Sequence, residues 1–436
     1  MQSRCGGPPF SCRPWRSRAR GQTSLTWLQR WSYQEAKMAS ESKTAFARNW
    51  REIGLVFLRL GATAYGGPAI IGIMQAELQE KRQWVSKDQF LEGLSLVNLV
   101  PGATATQLGI FLGHARGGWR GSVLAGLCFV VPAFCIMLVL ATTYAALGAT
   151  PLVRGGLYGL GPVVLGIFVV AVNRLGRSAI TSWTQLSLSL VAASAVAFSP
   201  LGAAAVLALA IGFGILMFHS RWAGALVTAF LAGVITTLQL LPWAPSLAVM
   251  PAGHASVTPT PGSLAEIGMF FLGVGAFTFG GGITMVALMQ EQVVSHFHWL
   301  TQQEFIDGLA LGQFTPGPIL MVAAYVGYKV SGVSGAAVAA AAVFLPSFML
   351  MLLSLPLLER IRALAWTKAA MRAVGPAVIG VMAVSLVQLG PHAVPDFFTA
   401  VIFLATVIAL IGWRIGAMKL MGTGAVLGMF RSRLVA

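Results

Sequence analysis

The chain has 436 residues, of which 56% are hydrophobic and 10% charged, against roughly 25% charged in a soluble globular protein. Its mean hydropathy is +0.77, and it holds many stretches of the roughly 20 apolar residues that span a bilayer. A soluble enzyme, a disulfide scaffold and a disordered chain are excluded, and an all-α polytopic membrane protein is expected.

The net charge of +16 does not read as a nucleic-acid interface. The basic residues stand singly or in small clusters between apolar runs, as cytoplasmic loops do, and no continuous basic face forms. Residues 1–50 are a basic leader. Within it, 1–37 carry seven Lys/Arg against one acid and lack the apolar core of a signal peptide. This segment reads as an over-extended start ahead of Met38. An organellar transit peptide has the same composition. Cys5 and Cys12 lie there. Cys128 and Cys135 share one apolar run, where thiols pack as small hydrophobes.

From residue 51 onward the chain repeats itself. Phe57, Gly61, Tyr65, Gly66, Gly67 and Glu77 recur 214 residues later as Phe271, Gly275, Phe279, Gly280, Gly281 and Glu291. After one inserted residue, Trp84, Phe90, Glu92, Gly93, Pro101 and Gly102 return as Trp299, Phe305, Asp307, Gly308, Pro316 and Gly317. Pro132, Gly161-Pro162 and Gly166 then match Pro346, Gly375-Pro376 and Gly380. The chain divides into modules at 51–240 and 263–436, joined by a Pro-rich linker, 241–262, without Lys, Arg, Asp or Glu. A linker without basic residues belongs outside.

In the first module, residues 52–80 break at Gly66-Gly67-Pro68 and are flanked by basic residues at both ends. They are too few for two crossings, so a re-entrant hairpin is expected. Residues 89–114 repeat the pattern, breaking at Pro101-Gly102. Ser86–Gln89 and Thr301–Glu304 have capping-box form and start the second hairpin of each half. Five plainer runs follow, at 121–147, 153–173, 180–198, 201–218 and 222–242. An odd number of crossings inverts the second module. The charges agree: Lys81–Lys87 is basic, whereas Ser295–Gln302 has no Lys or Arg. Arg360, Arg362 and Lys368 mark a cytoplasmic return. Arg154, Lys329, Arg431 and Arg433 fit less well, and the last run, 415–430, is short for a span. Two oppositely oriented related halves form the inverted-repeat architecture of secondary transporters.

Gly66-Gly67-Pro68, Trp84, Pro101-Gly102, Pro316-Gly317-Pro318 and the duplicated layout resemble the chromate ion transporter family, over roughly residues 50–430. The resemblance implies a transporter of the plasma (inner) membrane that exports chromate and confers chromate resistance, with sulfate as a related substrate. A channel or an importer of another oxyanion is the alternative. Gly282 stands where the first copy has Pro68, and Ala103 stands where the second has Pro318.

Broken helices present backbone N–H groups and the positive end of the dipole to an anion, and glycine permits close approach. The expected substrate site therefore gathers the breaks and the polar groups beside them. In the first half these are Arg59, Thr63, Tyr65, Gly66, Gly67, Pro68, Asn98, Pro101, Gly102, Thr104, Thr106 and Gln107. In the second they are Thr278, Gly280, Gly281, Gly282, Thr284, Gln313, Thr315, Pro316, Gly317 and Pro318. Arg59 lies inside an apolar limb, where a cation serves function or snorkels. Glu77, Glu92, Glu291 and Asp307 are matched acids and the candidates for proton coupling. No cofactor, metal site, catalytic set or nucleotide-binding motif is read. The expected partners are the anion and the lipid bilayer, with oligomerisation left open.

Overall fold

A computed structural model of the chain describes residues 46–65, 68–147, 150–199, 202–240, 263–278, 284–355, 365–413 and 415–435. Residues 1–45 of the leader, Gly66-Gly67, Gly280–Gly282, the linker, Arg360 and Arg362 lie outside these residues. The described chain is helical. The first half comprises α1 (46–63), α2 (Pro68–Met74, continued by a π-helical turn Gln75–Lys81), α3 (Lys87–Leu99), α4 (Thr104–Leu147), α5 (Pro151–Ala179), α6 (Trp183–Phe198), α7 (Ala203–Phe218) and α8 (Arg221–Leu240). The second comprises α9 (Leu264–Ala276), α10 (Thr284–Met289, continued by a π turn Gln290–His296), α11 (Gln302–Phe314), α12 (Val322–Ser354), α13 (Ala365–Ala393), α14 (Phe397–Ile411) and α15 (Ala417–Val435).

Each expected hairpin appears as a pair of short limbs. At 13 residues, α3 and α11 each rise only about 20 Å, well short of the ~30 Å hydrocarbon core. Both open with the capping boxes read from sequence, Ser86 with Gln89 and Thr301 with Glu304. α4 and α12 each join a hairpin limb to a full crossing through a break at matching positions. Gly117-Gly118 has φ −144° and +61°, and Ser331-Gly332 has φ −142° and +62°. The π turns also match, and each is followed by a residue of positive φ, Gln83 at 52° and His298 at 51°.

Among the described residues, four helices are long and apolar enough to cross a membrane: Thr104–Leu147, Pro151–Ala179, Ile319–Ser354 and Arg372–Ala393. The runs expected at 180–198 and 201–218 form 16-residue helices, about 24 Å long. α6 starts late because Thr181 and Ser182 are spent on a turn and an N-cap with Gln185, and α7 starts after Gly202. Leu127, Val131, Val139, Leu190, Leu226, Phe230, Met349 and Leu404 are exposed, a belt that suits lipid rather than water.

Inside, α4 packs on α12, α12 on α9, α13 on α5, α6 and α7, and α15 and α14 on α5. The closest approaches repeat between halves. A Cβ on Gly61 would sit 2.3 Å from the Phe129 carbonyl oxygen, and one on Gly275 would sit 2.2 Å from that of Val343. Only glycine lets α1 and α9 lie against α4 and α12 in this way.

Candidate functional site

The hairpin tips of the two halves meet. The Gly102 N–H donates to the Thr278 carbonyl at 2.7 Å, and the Gly317 N–H donates to the Ala64 carbonyl at 2.8 Å. Gly102 and Gly317 are repeat partners, and so are Ala64 and Thr278, so each second-hairpin tip holds the first-hairpin limb of the other half. Both glycines have positive φ, 132° and 91°, a conformation costly for any residue with a side chain. The tips at Pro101-Gly102 and Pro316-Gly317 are therefore each docked on the opposite half. Two of their amides are spent on joining the halves.

Around Gly102 the polar groups are dense. The Ala103 N–H donates to Ser347 Oγ at 2.8 Å, and Gln107 Nε2 donates to the Pro101 carbonyl at 2.7 Å. Thr104, Thr106 and Gln107 are buried, and the Thr106 hydroxyl and Gln107 Oε1 have no hydrogen-bond partner. A buried hydroxyl without a partner is costly, and here it lies in the first turn of α4, where backbone N–H groups lack intrahelical acceptors. The second half is drier. Ala133 stands beside Gly317 where Ser347 stands beside Gly102. Pro316 and Pro318 are buried, and Thr315 and Thr278 turn their hydroxyls back to Leu311 and Val274. Sequence reasoning missed Ser347, although it follows Pro346, one of the matched prolines.

The other expected residues scatter. Pro68 begins α2, Thr284 begins α10 and is buried, and Pro101, Tyr65 and Gln313 are half-buried. Arg59, Thr63 and Asn98 are exposed, and Thr63 bonds the Arg59 carbonyl at 2.7 Å. Gly66, Gly67 and Gly280–Gly282 lie outside the described residues. Glu92 is exposed on α3. Glu77 joins a charged cluster instead of the tips: Arg82 binds it at 2.8 Å and reaches Glu52 at 3.2 Å, while Arg116 binds Glu52 at 2.9 Å. Glu291 accepts the Ala203 N–H at 2.8 Å, tying α7 to the second hairpin.

Asp307 is the one matched acid that is buried. Its carboxylate accepts from Tyr144 Oη at 2.9 Å and Gln303 Nε2 at 3.1 Å, both neutral donors. It lines a cleft of about 650 Å³ with Tyr144, Arg154, Tyr158, Glu304 and Lys329. Lys329 pairs with Glu304 at 2.7 Å. At the cleft edge, Tyr158 donates to Asp396 at 2.7 Å, and Arg431 also pairs with Asp396. Partial burial pushes the Asp396 carboxyl up. The Thr399 N–H, the Tyr158 and Thr399 hydroxyls and Arg431 outweigh that and hold it well below the usual carboxylate range. Among the described residues no group of three or more His, Cys, Asp or Glu has metal-binding form.

Residues 51–217 and 265–429 match the family profile described as chromate transporter. A probable chromate transport protein of Synechococcus elongatus is 33% identical over 85% of this chain and 91% of its own. A chromate transport protein of Cupriavidus metallidurans is 32% identical over 89% and 94%. One from Pseudomonas aeruginosa is 29% identical over 82% and 86%. No solved structure matches the chain.

Proposed function

The chain belongs to the chromate transporter family, and from that premise we propose that it is a secondary transporter exporting chromate across the inner membrane, with sulfate as a second substrate and chromate resistance as the outcome. The reciprocal bonds Gly102–Thr278 and Gly317–Ala64 support the reading, because they dock the second-hairpin tip of each half on the first-hairpin limb of the other. There the start of α4 offers first-turn amides, its positive dipole end and the Thr106 hydroxyl to a tetrahedral dianion. Gly102 lets Ser347 and Gln107 close in on the tip, where a Cβ would lie 2.5 Å from Ser347 Oγ and 2.6 Å from Gln107 Nε2. Thr104 and Ser347 complete the proposed path, to which Gly66, Gly67 and Gly280–Gly282 are assigned from sequence alone.

We assign the two modules, 51–240 and 263–436, opposite orientations. The ends that charge places in the cytoplasm pack together, as Glu52, Glu77, Arg82 and Arg116 do. The ends it places outside pack together too, as Tyr144, Thr301, Lys329 and Asp396 do around one cleft. Some 39 Å of helix separates Gly118 from Tyr144 at 1.5 Å per residue. Of the four matched acids, Asp307 suits proton coupling best, as a buried carboxylate held by neutral donors.

The test is chromate accumulation in whole cells with and without expression. Export predicts lower accumulation against the gradient. Equal levels would point to a channel, and higher levels to an importer, and either result overturns the reading.

A further inference from the structure

We propose that the cleft lined by Arg154 and Lys329 is a second oxyanion site, distinct from the hairpin tips, at which a tetrahedral dianion pauses on the outer side of the membrane. The inference rests on the export reading and on the assigned orientation, and it names a site that neither of them requires.

Three of the four basic residues that break the charge rule for outer loops are Arg154, Lys329 and Arg431. They lie far apart in sequence, yet the fold gathers them. Arg154 and Lys329 line the cleft, and Arg431 stacks over the ring of Tyr158, another lining residue, 5.0 Å from its centroid. A cation on the outer face works against the assigned orientation. Arg154 carries a second penalty, because it stands in the first turn of α5, where the helix dipole disfavours positive charge. Lys329 is neutralised by Glu304, and Arg431 by Asp396. Arg154 has no carboxylate partner among the described residues. The remaining lining carboxylate, Asp307, is held by Tyr144 and Gln303 rather than by Arg154, and Tyr158 and Thr301 add neutral polar groups to the same wall.

The cleft and the tips lie along one helix pair. α4 and α11 pack side by side. At tip level Thr315 Oγ1 lies 4.0 Å from Met137 Sδ, and two turns further out Tyr144 meets Asp307 at 2.9 Å. The Tyr144–Asp307 bond therefore spans the two halves at the floor of the cleft, about 10 Å along α4 from the tip. A dianion leaving the tips by this seam arrives at Arg154 once that bond parts.

Equilibrium dialysis of the purified full chain in detergent tests the site, using chromate read by its own absorbance and radiolabelled sulfate in parallel. Two dianion sites per chain are expected. Arg154→Gln weakens one by about tenfold or more, Arg154→Lys keeps it within about threefold, and Gly102→Leu removes the other. Each variant is first checked for monodisperse elution. A single site in the wild type overturns the proposal, as does Arg154→Gln binding like wild type or an equal loss in Arg154→Lys. Sulfate bound in an Arg154-dependent way without chromate would sink the chromate reading and leave the outer site standing.

Discussion

The Gly102 N–H bonds the Thr278 carbonyl across the two halves at 2.7 Å, and its repeat partner Gly317 does the same to Ala64 at 2.8 Å. Each tip is thus a structural joint and the lip of the proposed anion path. At Gly102 a Cβ would lie 2.5 Å from Ser347 Oγ and 2.6 Å from Gln107 Nε2, on a backbone at φ 132°. Gly102→Leu is expected to abolish chromate export in cells matched for membrane-inserted protein. Gly102→Ala, at a cost of about 1–3 kcal/mol from strain, should reduce it. Gly317→Ala meets Ala133 Cβ at 2.9 Å and should lower stability in the same direction. Wild-type export by well-expressed Gly102→Leu would remove the tips from the path.

Orientation has its own test. Gln83 and Thr301 lie in matching loops, one basic and one not. Cysteines at these positions, in a background lacking Cys5, Cys12, Cys128 and Cys135, should react with an impermeant thiol reagent from opposite sides of the membrane. Gln83→Cys should label only in inverted vesicles and Thr301→Cys in intact cells. Same-side labelling contradicts the inverted repeat.

What the sequence made legible was local or duplicated. The capping boxes at Ser86 and Thr301 need only four consecutive residues, and the breaks at Pro101-Gly102 and Pro316-Gly317 are covalent features repeated at a fixed offset. The docking of Gly102 on Thr278 is not of this kind. Its partners are backbone groups, which carry no residue-specific signal, and their pairing depends on how the halves pack. Tyr144 was hidden for a related reason. It lies near the end of a long apolar run, and nothing around it indicates that Asp307 is its partner. The four matched acids looked alike in sequence. Packing separates them, placing Glu77 in an arginine cluster, Glu291 on a helix start, Glu92 at the surface and Asp307 in the interior.

Asp307 gives the coupling prediction. Asparagine keeps the shape and can still accept the Tyr144 hydroxyl, but it cannot bind and release a proton. Asp307→Asn should retain chromate exchange between equilibrated vesicle compartments while losing uptake driven by an imposed pH gradient. Uptake that still follows the gradient would exclude Asp307 as the coupling group.

The Asp396 carboxyl caps α14 through the Thr399 N–H at 2.9 Å and pairs with Arg431. Its pKa is depressed in the folded state, so its contribution is fully present above the unfolded value of about 3.9 and fades as pH falls through the lower folded value. Asp396→Ala should cost about 1–2 kcal/mol at neutral pH, mostly as a lost cap. Thermal unfolding of both proteins should show the gap narrowing only below pH 4 or so. A gap already closing near pH 6 would mean that the carboxyl is not held low.

Thr106 separates function from folding most cleanly. Its hydroxyl is buried without a partner, so in the resting protein it is a liability. At the offset that pairs Gly102 with Gly317, the counterpart of Thr106 is Met321, a buried apolar side chain. Thr106→Val removes the hydroxyl and keeps the β-branched shape. If the hydroxyl has no ligand, the variant should be as stable as wild type or more so, by up to about 1–3 kcal/mol, and transport should be unchanged. If the hydroxyl donates to a chromate oxygen at the tip, the same variant should gain stability and yet bind chromate about tenfold more weakly, the loss of one hydrogen bond to a charged group. We expect the second outcome, read as a higher unfolding midpoint together with a raised half-saturating chromate concentration in vesicle transport. Only an interaction with the substrate moves the two measurements in opposite directions. A structural role would lower both stability and transport, and an idle hydroxyl would leave transport untouched.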